Sequence, residues 1–236
     1  RLRRSCEMLD FELPLSNDEL DAAKMAVVEA NGIVDGYVRA FAWRGSEMMA
    51  ISAQHTTTHV AIAAWEWPSY FDPETKMKGI TLDIADWKRP SPESAPVHAK
   101  AAGLYMICTL SKHAAEKKGF QDALMLDYRG YLAEATGANV FFVDKEGTIH
   151  TPIADCFLDG ITRRTVIALA ESLQMKVVQR HLTLDDLSEM TECFLTGTAA
   201  EVTPVSQIGD ASFTPGHISR QLVDGYENLV RGRIAL

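Results

Sequence analysis

Two hundred and thirty-six residues carry 23 Lys and Arg against 32 Asp and Glu, a formal charge of −9, with 47% apolar and 23% charged residues. Those proportions exclude general disorder, because the apolar surface is enough to offset the ordering entropy. The acidic balance argues against a protein that coats nucleic acid, and the length suits one large or two modest domains. Cys6, Cys108, Cys156 and Cys193 are widely spaced with no CxxC pair, so neither a zinc ribbon nor a redox dithiol is expected. Single cysteines fit a reducing, cytoplasmic interior. No apolar run reaches the roughly 18 residues of a membrane span, and the opening RLRRSCEMLDFELPL has no signal-peptide core. The chain starts without Met and in mid-element, so the N-terminal part of its first domain is expected to be missing.

Ser16 to Glu19 reads as a capping box, followed by Leu20, Ala23, Val27 and Ala30 at helical spacing and an Asn31-Gly32 stop. Tyr37–Trp43 alternates like a strand, and Thr57–Trp65 is a second, β-branched one. The prolines and turn residues after Trp67 break both periods, which places a domain boundary near 72–79. Gly79–Asp86 alternates again, Pro90, Pro92 and Pro96 mark a loop, and helix signals run from near Ala99 to Gly119. A β-meander is predicted over 123–127, 131–135, 140–144 and 148–151. A helix opens at Gly160-Ile161-Thr162 and runs through Glu171, a short one is capped at Thr183–Asp186, and Cys193–Thr196 is a buried-type strand.

Lys100 stands among Ala99, Ala101, Ala102 and Gly103. Small neighbours admit a bulky ligand, and an apolar setting disfavours the charged amine, as Schiff-base chemistry needs. A solvated helix lysine is the alternative. Glu134 lies among apolar neighbours and needs a partner there, either a protonated ring nitrogen or a Lys or Arg. Gly160-Ile161-Thr162 is an anion site of helix-start type or a simple threonine cap. Thr196-Gly197-Thr198-Ala199-Ala200 is a second small-residue loop with accessible N–H groups. His55 and His59 stand four apart, but three threonines between them point to extended structure, so no metal site is expected. GxxxxGK[ST], GxGxxG and GxSxG are absent from the sequence.

The order Lys100, Tyr105, Glu134, Gly160-Ile161-Thr162 and Thr196–Pro204 resembles the class IV (fold type IV) pyridoxal-phosphate aminotransferases, and most of all their branched-chain amino-acid branch. LDYRGYLAEATGANVFFV, LDGITRRTVI and FLTGTAAEVTPV carry it, over essentially the whole chain. The resemblance implies a mixed α/β two-domain, D-amino-acid aminotransferase-like fold. A small α/β domain over 1–71, truncated at its N-terminus, would be followed by a linker over 72–79. A large domain with a β-barrel-like core over 80–236 would bind pyridoxal 5′-phosphate. Lys100 would form the Schiff base and move the proton between Cα and C4′. Tyr105 would hydrogen-bond the phenolic oxygen, and Glu134 would pair with the pyridine nitrogen. Ile161, Thr162, Thr198 and Arg1 would hold the phosphate. Thr198 and Ala199 would meet the substrate carboxylate, Tyr37 and Arg39 would face the substrate from the small domain with Arg39 on the second carboxylate of glutamate, and Trp67 and Tyr70 would help form an apolar pocket for a branched side chain. The implied reaction is ping-pong transamination of leucine, isoleucine or valine with 2-oxoglutarate in a cytoplasmic homodimer or higher homo-oligomer, with no nucleic-acid or membrane partner. A D-amino-acid aminotransferase, an aminodeoxychorismate lyase and a non-catalytic fragment are the alternatives. Two departures from the family pattern are expected to matter: Ala138 precedes Asn139 where the family usually has an acidic residue, and, more seriously, the family's N-terminal segment with pocket aromatics and a further arginine is missing.

Overall fold

The Ser16 hydroxyl accepts the Glu19 N–H at 3.2 Å while the Glu19 carboxylate accepts the Ser16 N–H at 2.8 Å, closing the predicted capping box. It starts α2 (Asn17–Ala30), which ends where Gly32 takes φ +62°. Ahead of it lies α1 (Leu2–Met8). The computed structural model describes residues 1–67 and 77–236, and the chain divides between residues 69 and 70 into two compact units. The expected linker falls outside the described residues over 72–76.

In the first unit, β1 (Tyr37–Arg44) and β2 (Thr58–Trp65) pair antiparallel, Tyr37 opposite Trp65 and Trp43 opposite His59. Strand alternation gives the hairpin two faces. Ala40, Ala42, Val60 and Ile62 pack on Cys6, Leu13 and Leu20, so both helices cover this face. Tyr37, Arg39, Phe41 and Trp43 occupy the other.

The second unit is built on nine strands: β3 (Ile80–Ile84), β4 (Asp122–Leu126), β5 (Leu132–Ala135), β6 (Asn139–Asp144), β7 (Ile149–Thr151), β8 (Val177–Gln179), β9 (Met190–Gly197), β10 (Glu201–Ile208) and β11 (Ala211–Ser212). Pairing runs β10-β3-β4-β5-β6, and β9 then joins β6 back to β10, so six strands close on themselves. Closure leaves no free edge within the ring. The β5–β6 step of that circuit rests on one register pair, Glu134 opposite Asn139. Alternation along β6 sends Val140 and Phe142 into one core cluster and Phe141 and Val143 into another. The second cluster takes Val166, Leu169, Leu222 and Tyr226 from α4 (Ile161–Ser172) and α5 (His217–Val230).

The helix expected from Ala99 begins later. Ala101 is extended (φ −104°, ψ 138°), a 3-10 turn occupies Ala102–Leu104, and α3 runs Tyr105–Lys117. Ala99 to Ala101 are good helix formers, but they follow Pro96 with no capping side chain, and propensity alone does not fix a start. Lys100 therefore precedes the helix, in a stretch without regular secondary structure. At 183–186 the Thr183 N–H and hydroxyl both donate to the Asp186 carboxylate, and the helix that follows is a 3-10 turn, Asp185–Glu189.

Candidate active site

Burial decides the chemistry of Glu134. It is 9% exposed at the centre of β5, and desolvation pushes its carboxyl up from 4.5 to about 7. Arg89 opposes that push most strongly, then Lys100 and the Leu158 backbone N–H. The Arg89 Nε lies 3.3 Å from Glu134 Oε1. The arginine partner weighed from sequence is thus present, and it is Arg89, which carries no periodic or motif signal in its proline-bounded loop. Its backbone N–H donates to the Leu126 carbonyl at 2.8 Å, which locks it beside β4. Lys100 is solvent-accessible between buried Ala99 and half-buried Ala101, near enough to act electrostatically on Glu134. Tyr105 opens α3 with 38% of its surface exposed, directly after Leu104, whose carbonyl accepts from Arg89 Nη1 at 3.3 Å.

Asn139 joins this acid to a helix start. Its Nδ2 donates to Glu134 Oε2 at 3.2 Å and to the Leu158 carbonyl at 2.9 Å, while Oδ1 accepts the Gly160 N–H at 3.2 Å. Gly160 is the N-cap of α4 and no side chain caps the first turn, so the threonine-cap alternative does not hold. Thr162 is buried and Ile161 is 45% exposed. A helix start with N–H groups left by its own side chains suits an anion. Behind it, buried Arg163 binds Asp159 at 2.8 Å and the Pro152 carbonyl at 2.9 Å, fixing the approach to the helix.

Across β6, Asn139 is in register with Thr196, so the Thr198–Ala200 turn leaves β9 beside the same residues. Thr198 is exposed and Ala199 half-buried. Glu201 closes the turn at φ +51°, an uncommon backbone for a residue with a side chain. Among the described residues the buried Thr196 hydroxyl has no hydrogen-bond partner.

The remaining expected residues belong to the other unit. Tyr37 packs on Trp65 and Trp67 with ring centroids 5.1 and 5.4 Å away, and the Arg39 guanidinium lies over Tyr37 and Trp65 at 5.6 and 5.9 Å. Arg1 is exposed ahead of α1. Tyr70 lies outside the described residues.

Residues 1–208 match the family described as Amino-transferase class IV. This chain belongs to that family. A probable branched-chain-amino-acid aminotransferase of Rickettsia conorii is 39% identical over 235 residues, covering 98% of this chain and 79% of its own length. The branched-chain-amino-acid aminotransferase of Pseudomonas aeruginosa is 35% identical, covering 99% of this chain and 76% of its own. Among solved structures, the T.th. branched-chain amino acid aminotransferase complexed with N-(5′-phosphopyridoxyl)-L-glutamate superposes with a TM-score of 0.92 at 36% identity, over 98% of this chain and 76% of that one. The mixed α/β architecture is that of the class IV aminotransferases. The donor set of this aminotransferase fits a phosphorylated pyridine aldehyde: a primary amine at Lys100, a buried carboxyl at Glu134, an uncapped helix start at Gly160 and an orphaned hydroxyl at Thr196. In the sequence Asn139 is marked only by its neighbour Ala138, and neither composition nor spacing encodes its three hydrogen bonds.

Proposed function

We propose that this chain transfers the amino group between leucine, isoleucine or valine and 2-oxoglutarate in a ping-pong reaction with pyridoxal 5′-phosphate. The observation that carries the reading is one connected site: Lys100 acts on buried Glu134, and Asn139 ties Glu134 to the uncapped start of α4. The relatives' names support the branched-chain substrates, and the phosphopyridoxyl-glutamate complex of the T.th. enzyme supports glutamate as the other partner.

Bound pyridoxal phosphate supplies an electron sink for negative charge developing at the amino-acid Cα. Lys100 would be the residue that holds the cofactor covalently, and its amine would carry the proton to and from the substrate Cα. Glu134, as a carboxylate, holds the proton on the pyridine nitrogen. Tyr105 donates to the phenolic oxygen. The Ile161 and Thr162 N–H groups, the Thr198 hydroxyl and Arg1 hold the phosphate. Thr198 and Ala199 N–H groups meet the substrate carboxylate, Tyr37, Trp67 and Tyr70 border its side chain, and Arg39 receives the second carboxylate of glutamate. We assign residues 1–71 to a small domain, 72–79 to the linker and 80–236 to the cofactor domain.

The assembly we propose is a homodimer, to which the exposed Phe41 and Trp43 on β1 give an apolar face. We place it in the cytoplasm. Four buried, unpaired cysteines support a reducing compartment, and among the described residues no helix is long and apolar enough to cross a membrane. The test is the visible absorption of the chain with pyridoxal phosphate, before and after L-leucine. A band of lysine-bound cofactor that bleaches with leucine is expected, and Lys100→Ala should lack it. A normal band in Lys100→Ala would overturn the assignment, and a band that ignores leucine but responds to D-alanine would move it to D-amino acids.

A further inference from the structure

We propose that Arg89 is the positioning residue for Glu134, a permanent buried cation that favours the ionised carboxylate against its burial and fixes its Oε1. This rests on the reading of Glu134 as the partner of the pyridine nitrogen, since a neutral carboxylic acid could not hold a proton there.

The geometry is a buried ion pair. Arg89 is 3% exposed, and among the described residues Glu134 is the carboxylate within ion-pair distance of it. Its other polar contacts are neutral: Nη1 reaches the Leu104 carbonyl at 3.3 Å and Cys108 Sγ at 3.5 Å. Among the described residues Nε has no aligned hydrogen bond, so charge rather than a directed bond holds the pair. Breaking a buried pair strands the remaining ion, which makes each member depend on the other.

Several groups bear on Glu134. Arg89 comes from the segment after β3, and Lys100 from the segment before α3. Cys108 comes from α3, and Glu134 helps raise its thiol. The Asn139 amide comes from β6, and the Leu158 N–H precedes α4. Two of these are cations, and they differ in kind. In the proposed reaction Lys100 is consumed as attachment point and proton carrier, so its charge is not constant. A guanidinium does not deprotonate, so Arg89 holds Glu134 through the whole cycle. Burial already pushes the carboxyl to about 7 with Arg89 in place, and removal of the guanidinium drives it higher.

The experiment is an infrared titration of the full chain without added cofactor, with the Glu134 carboxylic band identified by its loss in Glu134→Gln. Arg89→Met should raise the Glu134 midpoint by about one pH unit or more, a tenfold change in proton affinity. Arg89→Lys should stay near the parent, because charge rather than shape is restored. An unchanged midpoint in Arg89→Met overturns the proposal. Should Arg89→Met fail to fold, Arg89→Met/Glu134→Gln removes both charges. Recovery of folding supports the pair, and a double variant as unstable as the single overturns it. Failure of the parent to bind pyridoxal phosphate would remove the cofactor reading and leave the titration result intact.

Discussion

The Oδ1 of Asn139 accepts the Gly160 N–H at 3.2 Å, and a Cβ built on Gly160 would stand 2.3 Å from that same oxygen. Gly160 has an ordinary φ of −64°, so space rather than backbone freedom demands glycine here. Gly160→Ala must push the amide away, and that amide also holds Glu134. The expected cost is roughly 1–3 kcal/mol of stability, as for overpacking. Pyridoxal phosphate affinity should fall with it, since both the acid and the helix start move. Urea unfolding and a spectroscopic cofactor titration check the two effects. A variant that binds cofactor like the parent would show that the Asn139 bridge is not needed to shape the site.

Glu134 makes the cofactor-free fold sensitive to pH. Its carboxyl is raised in the folded chain from 4.5 to about 7, so between these values the folded state binds more protons than the unfolded one. Stability from this group is therefore complete below about pH 4.5 and is lost as pH rises through 7. The loss is on the order of 3 kcal/mol. Glu134→Gln removes the titration, so its stability relative to the parent should improve from pH 5 to pH 8. Parallel pH profiles of the parent and Glu134→Gln melts would contradict a raised carboxyl. Added pyridoxal phosphate should recover part of the loss in the parent, because a protonated ring nitrogen gives the carboxylate a second partner.

Much of this fold is legible where signals are local. The Ser16–Glu19 box, the β-meander and the helix at Gly160 lie within a residue or two of where the sequence puts them. Elements stabilised from a distance are not legible in this way. The first turn of α5 is served by Glu192 on β9, whose carboxylate accepts the Ser219 N–H at 2.8 Å, so no local cap announces the helix. β10 contains Pro204 and still has neighbours on both sides, because Pro204 lies opposite Phe194 of β9 and pairing with β3 begins at Val205. In the site, Lys100 stands out by its small neighbours, Glu134 as a carboxylate among apolar ones, and Gly160 as a helix start. Arg89 acts from 45 positions away in sequence through a buried contact with Glu134, which spacing does not encode.

The capping box should carry measurable stability. Ser16→Ala removes the acceptor for the Glu19 N–H, and with it the reason for the Glu19 side chain to reach back. The Ser16 N–H, and after it the Ser16 hydroxyl, hold the Glu19 carboxyl below its usual range. A loss of about 1 kcal/mol is expected, read as a lower denaturation midpoint with unchanged slope. Glu19→Gln keeps the box geometry and should lose less. A loss in Glu19→Gln as large as in Ser16→Ala would mean that the Glu19 charge, and not only its place in the box, stabilises the start of α2.

Arg39 separates the two halves of the proposed reaction. On β1 its guanidinium lies over the Tyr37 and Trp65 rings at 5.6 and 5.9 Å, an arrangement that orients the group while leaving its N–H edges for a carboxylate. Glutamate and 2-oxoglutarate bring a second carboxylate, whereas leucine does not. Arg39→Ala should therefore raise KM for 2-oxoglutarate by roughly 10- to 100-fold, the worth of a charge-assisted pair. KM for leucine should change by only a few-fold, reflecting the looser packing of Tyr37. Arg39→Lys should recover little of the loss, because an ammonium cannot engage a carboxylate in a bidentate way. Steady-state kinetics with each substrate varied separately reads this split. An equal rise in both KM values would place Arg39 in general packing of the hairpin rather than at the second carboxylate.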